Sequence, residues 1–298
     1  MTVTRPVMLV EAGLELGEGP RWLGDRFVIV DILDGVLYEV PGGPGEPLRP
    51  LLRTSGEPLG AVAPIEGRPG HWLAAVGDGI AVLDGDGAAD WLARPEAGKN
   101  GRCRMNDGAV DPSGRFWAGS MAYDGTPGAG SLYRVDVDGT VVAALTGLTI
   151  PNGPAFSPDG ATLYLADSAR SVINAYPLDI DTGALGAPEP LIQLDDGSPD
   201  GMTVDDEGFV WTAVWGGSRV LRVSPDGTIE RTIHLPCRQP SSVAIGGPHG
   251  TQLLVTSARH GLDTPTPADG AIWTCDAEVT APPTRTAVLR REPQLPQK

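Results

Sequence analysis

Glu18, Asn152 and Asp200 each set a small oxygen-bearing side chain beside glycine, in "GEG", "PNG" and "PDG". Two carboxylates neutralise a divalent cation, and an amide carbonyl supplies a third oxygen ligand. The set therefore suits a hard ion such as Ca²⁺, Mg²⁺ or Mn²⁺, without forbidding Zn²⁺ or Fe²⁺. Three protein ligands leave coordination positions for water and substrate, and an ion so held can act as a Lewis acid toward a carbonyl. Asn-Gly and Asp-Gly are also common in turns for backbone reasons. The chemistry thus depends on whether residues so far apart in sequence meet in space.

A repeat provides the meeting point. Six segments align: "LGEGPRWLGDRFVIVD" from Leu16, "PLGAVAPIEGRPGHWLAAV" from Pro58, "RMNDGAVDPSGRFWAGS" from Arg104, "IPNGPAFSPDGATLYLADS" from Ile150, "SPDGMTVDDEGFVWTAV" from Ser198 and "QPSSVAIGGPHGTQLLVTS" from Gln239. Each has a polar or small residue, a short strand, a glycine turn and a second strand, and a third strand-like run follows. The turn glycines Gly24, Gly67, Gly114, Gly160, Gly208 and Gly250 are 43, 47, 46, 48 and 42 residues apart. A period near 45 built from short alternating or apolar runs predicts a β-propeller rather than a helical repeat. Six units with no remainder predict an all-β, six-bladed propeller occupying residues 1–298 as one domain. The N-terminal run "PVMLVEAGLEL" is expected to complete the sixth blade, because closing the ring protects an open sheet edge. Further "PDG" copies at 158–160 and 225–227 fall between strands and read as hairpin turns.

The same alignment places Glu18, Gly60, Asn106, Asn152, Asp200 and Ser242 at equivalent positions, 42, 46, 46, 48 and 42 residues apart. In a propeller such positions form a ring around the central channel, so Glu18, Asn152 and Asp200 are expected to converge at one mouth as metal ligands.

Composition narrows the partners. A net charge of −16 opposes binding to nucleic acid, which requires clustered Lys and Arg. No apolar run of about 18 residues is present, so no membrane span is expected. The N-terminus lacks the pattern of a signal peptide. Three cysteines, Cys103, Cys237 and Cys275, do not make a disulfide scaffold, and a cytoplasmic location is expected.

The pieces "LGEGPRW", "RMNDGAVDPSGRFWAGSM", "IPNGPAFSPDG", "LYLADS", "SPDGMTVDDEGFVW" and "VTSAR" give the chain its resemblance to the family of senescence marker protein, gluconolactonase and luciferin-regenerating enzyme. The resemblance implies a six-bladed propeller, Glu18, Asn152 and Asp200 as metal ligands, and Arg104 and Asn106 as substrate contacts. It implies a metal-dependent hydrolase that opens a small-molecule lactone, a sugar lactone foremost. Asp200 is then the first candidate to take a proton from the attacking water, with Glu18 the second. Arg104 would orient the substrate and offset developing negative charge. One departure bears on substrate: an acidic residue expected after "AGSMA" is replaced by Tyr123, whose ring adds an apolar face. A less hydroxylated or bulkier lactone is therefore expected, and an esterase or phosphotriesterase on the same scaffold, or a non-enzymatic binding propeller, are the alternatives. His71, His234 and His249 are scattered, whereas His260 is placed near the channel mouth. Trp117 and Trp211 read as core, and Trp215 as core or pocket wall.

Overall fold

The computed structural model describes residues 5–99 and 102–290. Their strands form six four-stranded antiparallel sheets, each a blade of a β-propeller. Blades 1 to 5 run in chain order from inside to outside, starting with inner strands Gly17–Trp22, Leu59–Pro64, Cys103–Val110, Pro151–Phe156 and Ser198–Val204. Blade 6 has Pro240–Gly246 innermost, then Gln252–Ser257 and Ile272–Asp276. Its outer strand is the N-terminal Val7–Val10, which pairs antiparallel with Ile272–Asp276. The ring is thus closed by the N-terminal strand, as the sequence predicts, and the last blade gains its fourth strand from the opposite end of the chain. The outer strands of blades 1 to 5 were not located by the repeat. Ile229–His234, for example, is largely exposed, and Val141–Leu148 has no fully buried residue.

The core lies between the blades, where inner and middle strands present Val, Ile, Leu and Ala on both faces. Trp117 and Trp211 are completely buried there. Each is pinned by the aspartate six residues earlier. Asp111 accepts the Trp117 Nε1–H at 2.9 Å and the Arg115 Nε–H at 2.6 Å, and Asp205 accepts the Trp211 Nε1–H at 2.8 Å and the Arg222 Nε–H at 2.8 Å. The other oxygen of each carboxylate caps the backbone N–H groups of the following turn, so one side chain joins turn, inner hairpin and core. In the sequence these units are "DPSGRFW" and "DDEGFVW".

The chain after Cys275, irregular in sequence, runs as a strap over one end of the channel. Ala287 exchanges backbone hydrogen bonds with Pro64 and Glu66, Val288 N–H donates to Gly114, and Arg290 N–H to Val137. Pro282–Arg285 roof a cavity of about 110 Å³ lined by the distal ends of the inner strands.

Candidate active site

At the mouth away from the strap, every inner strand carries an irregularity in its pairing. The register slips between Glu18 and Arg21, Leu59 and Ala61, Met105 and Gly108, Asn152 and Ala155, Pro199 and Met202, and Pro240 and Ser242. Bulges re-aim side chains that a regular ladder would point into the blade interface. Four of the six equivalent residues, Glu18, Asn106, Asn152 and Asp200, thereby line one cavity of about 490 Å³ together with Arg104, Tyr123 and His260.

The other two aligned positions do not reach that cavity. Gly60 lies against the next blade so closely that a Cβ would stand 2.3 Å from the Asn106 carbonyl oxygen. Ser242 is buried and fills the space left by Gly201. Both serve the ring as close-packing positions and neither as a ligand. Gly60→Ala is expected to displace the Asn106 backbone and lower turnover by about 10²-fold, as sub-ångström to 1 Å misplacements of a site do. Steady-state kinetics on the folded variant checks this.

A directional hydrogen-bond chain spans three blades. Arg104 Nη1 donates to Asn106 Oδ1 at 2.7 Å, Asn106 Nδ2 to Asn152 Oδ1 at 2.6 Å, Asn152 Nδ2 to Ser168 Oγ at 2.9 Å, and Ser168 Oγ to the Pro199 carbonyl at 2.6 Å. Guanidinium can only donate and carbonyl can only accept, so the two ends dictate both amide orientations between them. Asn106 also donates to the Pro151 carbonyl at 3.1 Å, which engages both of its N–H groups. Its amide therefore works chiefly as a link between Arg104 and Asn152. Asn152 Oδ1 keeps a second lone pair.

The carboxylates have few partners. The Glu18 side chain accepts the Gly19 N–H at 3.1 Å. Burial pushes its carboxyl well above the usual range, and the charges of Asp200 and Asp107 push further. Burial likewise raises Asp200 well up, with Asp107 adding. Arg104 counters both, and burial draws its own guanidinium down from the usual value. Burial and mutual repulsion disfavour both ionised carboxylates, and a cation placed between them would favour them. Among the described residues no three His, Cys, Asp or Glu side chains are grouped to hold a metal. A cation here depends on the Asn152 amide oxygen beside Glu18 and Asp200, an all-oxygen set that fits a hard divalent ion.

Around this polar floor stands an apolar rim of Leu16, Leu33, Met121, Ile150 and Trp215. Tyr123 stands at the rim, 52% exposed, and influences Arg104 electrostatically. Trp215 thus proves to be pocket wall while also packing beside the blade 1–2 core. His260 reaches the mouth, where Glu15 Oε1 sits 3.0 Å from its Nδ1. Cys103 is buried, and burial raises its thiol, as befits a structural residue. Sequence reasoning passed over Ser168, Asp107 and the apolar rim residues other than Trp215. Ser168 closes the "LYLADS" motif and Asp107 the "RMND" motif, so both were visible, but only their contacts reveal their use.

The match to the SMP-30/Gluconolactonase/LRE-like region covers residues 16–259. The chain belongs to this family. Pentonolactonase XacC of Haloferax volcanii is 36% identical over 95% of this chain and 97% of its own. The 6-deoxy-6-sulfogluconolactonase of Pseudomonas putida is 37% identical over 87% of this chain and 89% of its own. The crystal structure of a calcium-binding regucalcin from Agrobacterium tumefaciens superposes with a TM-score of 0.84 at 32% identity, covering 96% of this chain and 97% of that one. The family region contains Glu18, Arg104, Asn106, Asn152 and Asp200, whereas His260, the closing strand and the strap lie outside it.

Proposed function

We propose that this protein hydrolyses a lactone with a divalent cation held by Glu18, Asn152 and Asp200. The observation that supports this most is the convergence of those three with Arg104 on one cavity, in a chain whose family relatives include named lactonases. When bound, the cation would polarise the acyl carbonyl and acidify water. Asp200, beside the cation, accepts a proton as water adds to the acyl carbon. Collapse of the tetrahedral adduct breaks the ring C–O bond. Asp200 then returns the proton to the departing ring oxygen, and a hydroxy acid results. Arg104 uses Nη1 for its contacts within the chain and so has further N–H groups to offer substrate oxygens. Asn106 holds Arg104 and Asn152 in register, and Glu18 supplies the second carboxylate.

An aldonolactone is the substrate class we favour, with one face less hydroxylated to match the apolar rim. Exchanging Tyr123 for Glu is expected to raise kcat/KM for polyhydroxylated aldonolactones over alkyl γ-lactones by about tenfold, the scale of one changed pocket contact. An unchanged ratio takes Tyr123 out of substrate selection. The rim also supports a second reading, an ester or phosphotriester substrate, and such compounds belong in the same panel.

The function itself is tested by following acid release from aldono-1,4- and 1,5-lactones with metal-stripped protein, restoring Mg²⁺, Ca²⁺, Mn²⁺, Zn²⁺ or Fe²⁺ in turn. Hydrolysis above the spontaneous rate only with an ion present supports the reading, and no hydrolysis with any ion overturns it. The net charge of −16 supports a small molecule rather than nucleic acid as partner. Free Cys103, Cys237 and Cys275 support a cytoplasmic location. Among the described residues no helix is long and apolar enough to cross a membrane.

A further inference from the structure

Asp107 follows Asn106 in the bulge of blade 3, where pairing slips between Met105 and Gly108. It is only 3% exposed and does not line the cavity, so it touches no substrate. Its oxygens are nonetheless fully engaged with the strands that carry the site. Oδ1 accepts the Gly108 N–H of its own strand at 2.7 Å. Oδ2 accepts, across the blade boundary, the Gly153 N–H at 3.0 Å, and Gly153 directly follows Asn152. From blade 1, Arg21 Nη2 approaches Oδ1 at 3.8 Å and also donates to the Gly108 carbonyl, while Nη1 donates to its neighbour Pro20. Arg21 ends the bulge that begins at Glu18. One carboxylate therefore ties the bulges of Glu18, Asn106 and Asn152 to one another.

The tie at Gly153 is not replaceable by side-chain packing. Its φ is +49°, and a Cβ there would lie 2.7 Å from Met202 Cγ and 2.7 Å from the Met202 nitrogen. The backbone at this point carries no side chain to hold it, and the Asp107 hydrogen bond takes that part. Two acceptor oxygens are needed, one for each glycine N–H. An amide side chain would set N–H against N–H at one of them.

We infer that Asp107 is a positioning residue that sets the mutual placement of Glu18, Asn106 and Asn152 from beneath the cavity. The inference rests on the lactonase reading above for its functional readout. It predicts that the cost of substitution falls on cation affinity and turnover rather than on substrate affinity.

The test uses the full-length chain, with Asp107→Asn and Asp107→Ala alongside wild type. Calorimetry with Mn²⁺ alone, steady-state kinetics on the lactone that wild type hydrolyses best, and thermal melts are measured for each. Both variants are expected to weaken Mn²⁺ binding by about 10–100-fold and to lower kcat by a similar factor, as residues behind a ligand shell do, while KM stays within about twofold. Asn keeps one acceptor and is expected to fall between wild type and Ala. Folded variants with wild-type Mn²⁺ affinity and kcat, whatever their melting temperature, overturn the inference and leave Asp107 a purely structural residue. Should neither variant fold, Arg21→Gln removes only the blade 1 tie. Weakened Mn²⁺ binding is expected there too, and wild-type affinity overturns the inference. Wild-type protein that neither binds Mn²⁺ nor opens a lactone overturns the lactonase reading itself, which is a different outcome from normal wild type with unaffected variants.

Discussion

Asp200→Ala is expected to lower kcat on the best lactone by about 10²–10⁴-fold, the contribution of a positioned proton-transfer group. The loss should be in chemistry rather than in folding. Asp200 faces the cavity, and its ionised form is disfavoured by burial and by the charge of Asp107. Removing it relieves that repulsion, so the metal-stripped variant is expected to melt at or above the wild-type temperature. Asp200→Asn separates two roles, because it keeps an oxygen ligand but cannot take a proton. Mn²⁺ binding that survives in Asn, together with lost turnover, assigns proton transfer to Asp200. Turnover within tenfold of wild type in both variants moves that role to Glu18.

The largest effect on stability is expected from Asp205→Ala, at about 3–5 kcal/mol, the range for breaking a buried ion pair from one side. Asp205 is wholly buried and serves Trp211, Arg222 and the N–H groups of Glu207 and Phe209 at once. Deleting it leaves the Arg222 guanidinium, 6% exposed, without its buried counterion, and the Trp211 indole N–H without an acceptor. Glu207 also pairs with Arg222, at 2.6 Å, but it is 63% exposed. Its replacement by Ala is therefore expected to cost at most about 1 kcal/mol. Urea unfolding of the two variants checks the contrast, and equal costs would show that burial does not govern this network. Activity per folded molecule should be unchanged in both, because neither residue reaches the cavity.

The contrast between these two aspartates bears on what a sequence reveals. Blade number and ring closure follow from the period of the inner and middle strands, whose apolar faces repeat because every blade buries the same surfaces. Outer strands such as Ile229–His234 bury little, so nothing constrains their pattern and the repeat passes over them. The oxygen ring was legible at four of its six positions. At Gly60 and Ser242 the same alignment holds, but close approach of neighbouring inner strands takes the side-chain space, and an alignment carries no distances. Asp107 sits beside Asn106 in an Asp-Gly pair that reads as an ordinary turn. Its hydrogen bond to Gly153, 46 residues away, and its pairing with Arg21 of blade 1 set it apart. The rim was hidden for another reason: Leu16, Leu33 and Ile150 lie at the edges of strands, and isolated apolar residues there resemble core.

The account turns on whether Glu18, Asn152 and Asp200 hold one ion at the channel mouth. Crystals grown with Mn²⁺ and measured for anomalous scattering answer this most directly. The expected result is a strong peak bonded to a carboxylate oxygen of Glu18, to Asn152 Oδ1 and to a carboxylate oxygen of Asp200, at about the 2.0–2.6 Å typical of hard cations. A map with no peak at the channel mouth, or with the ion bound only elsewhere, would contradict it.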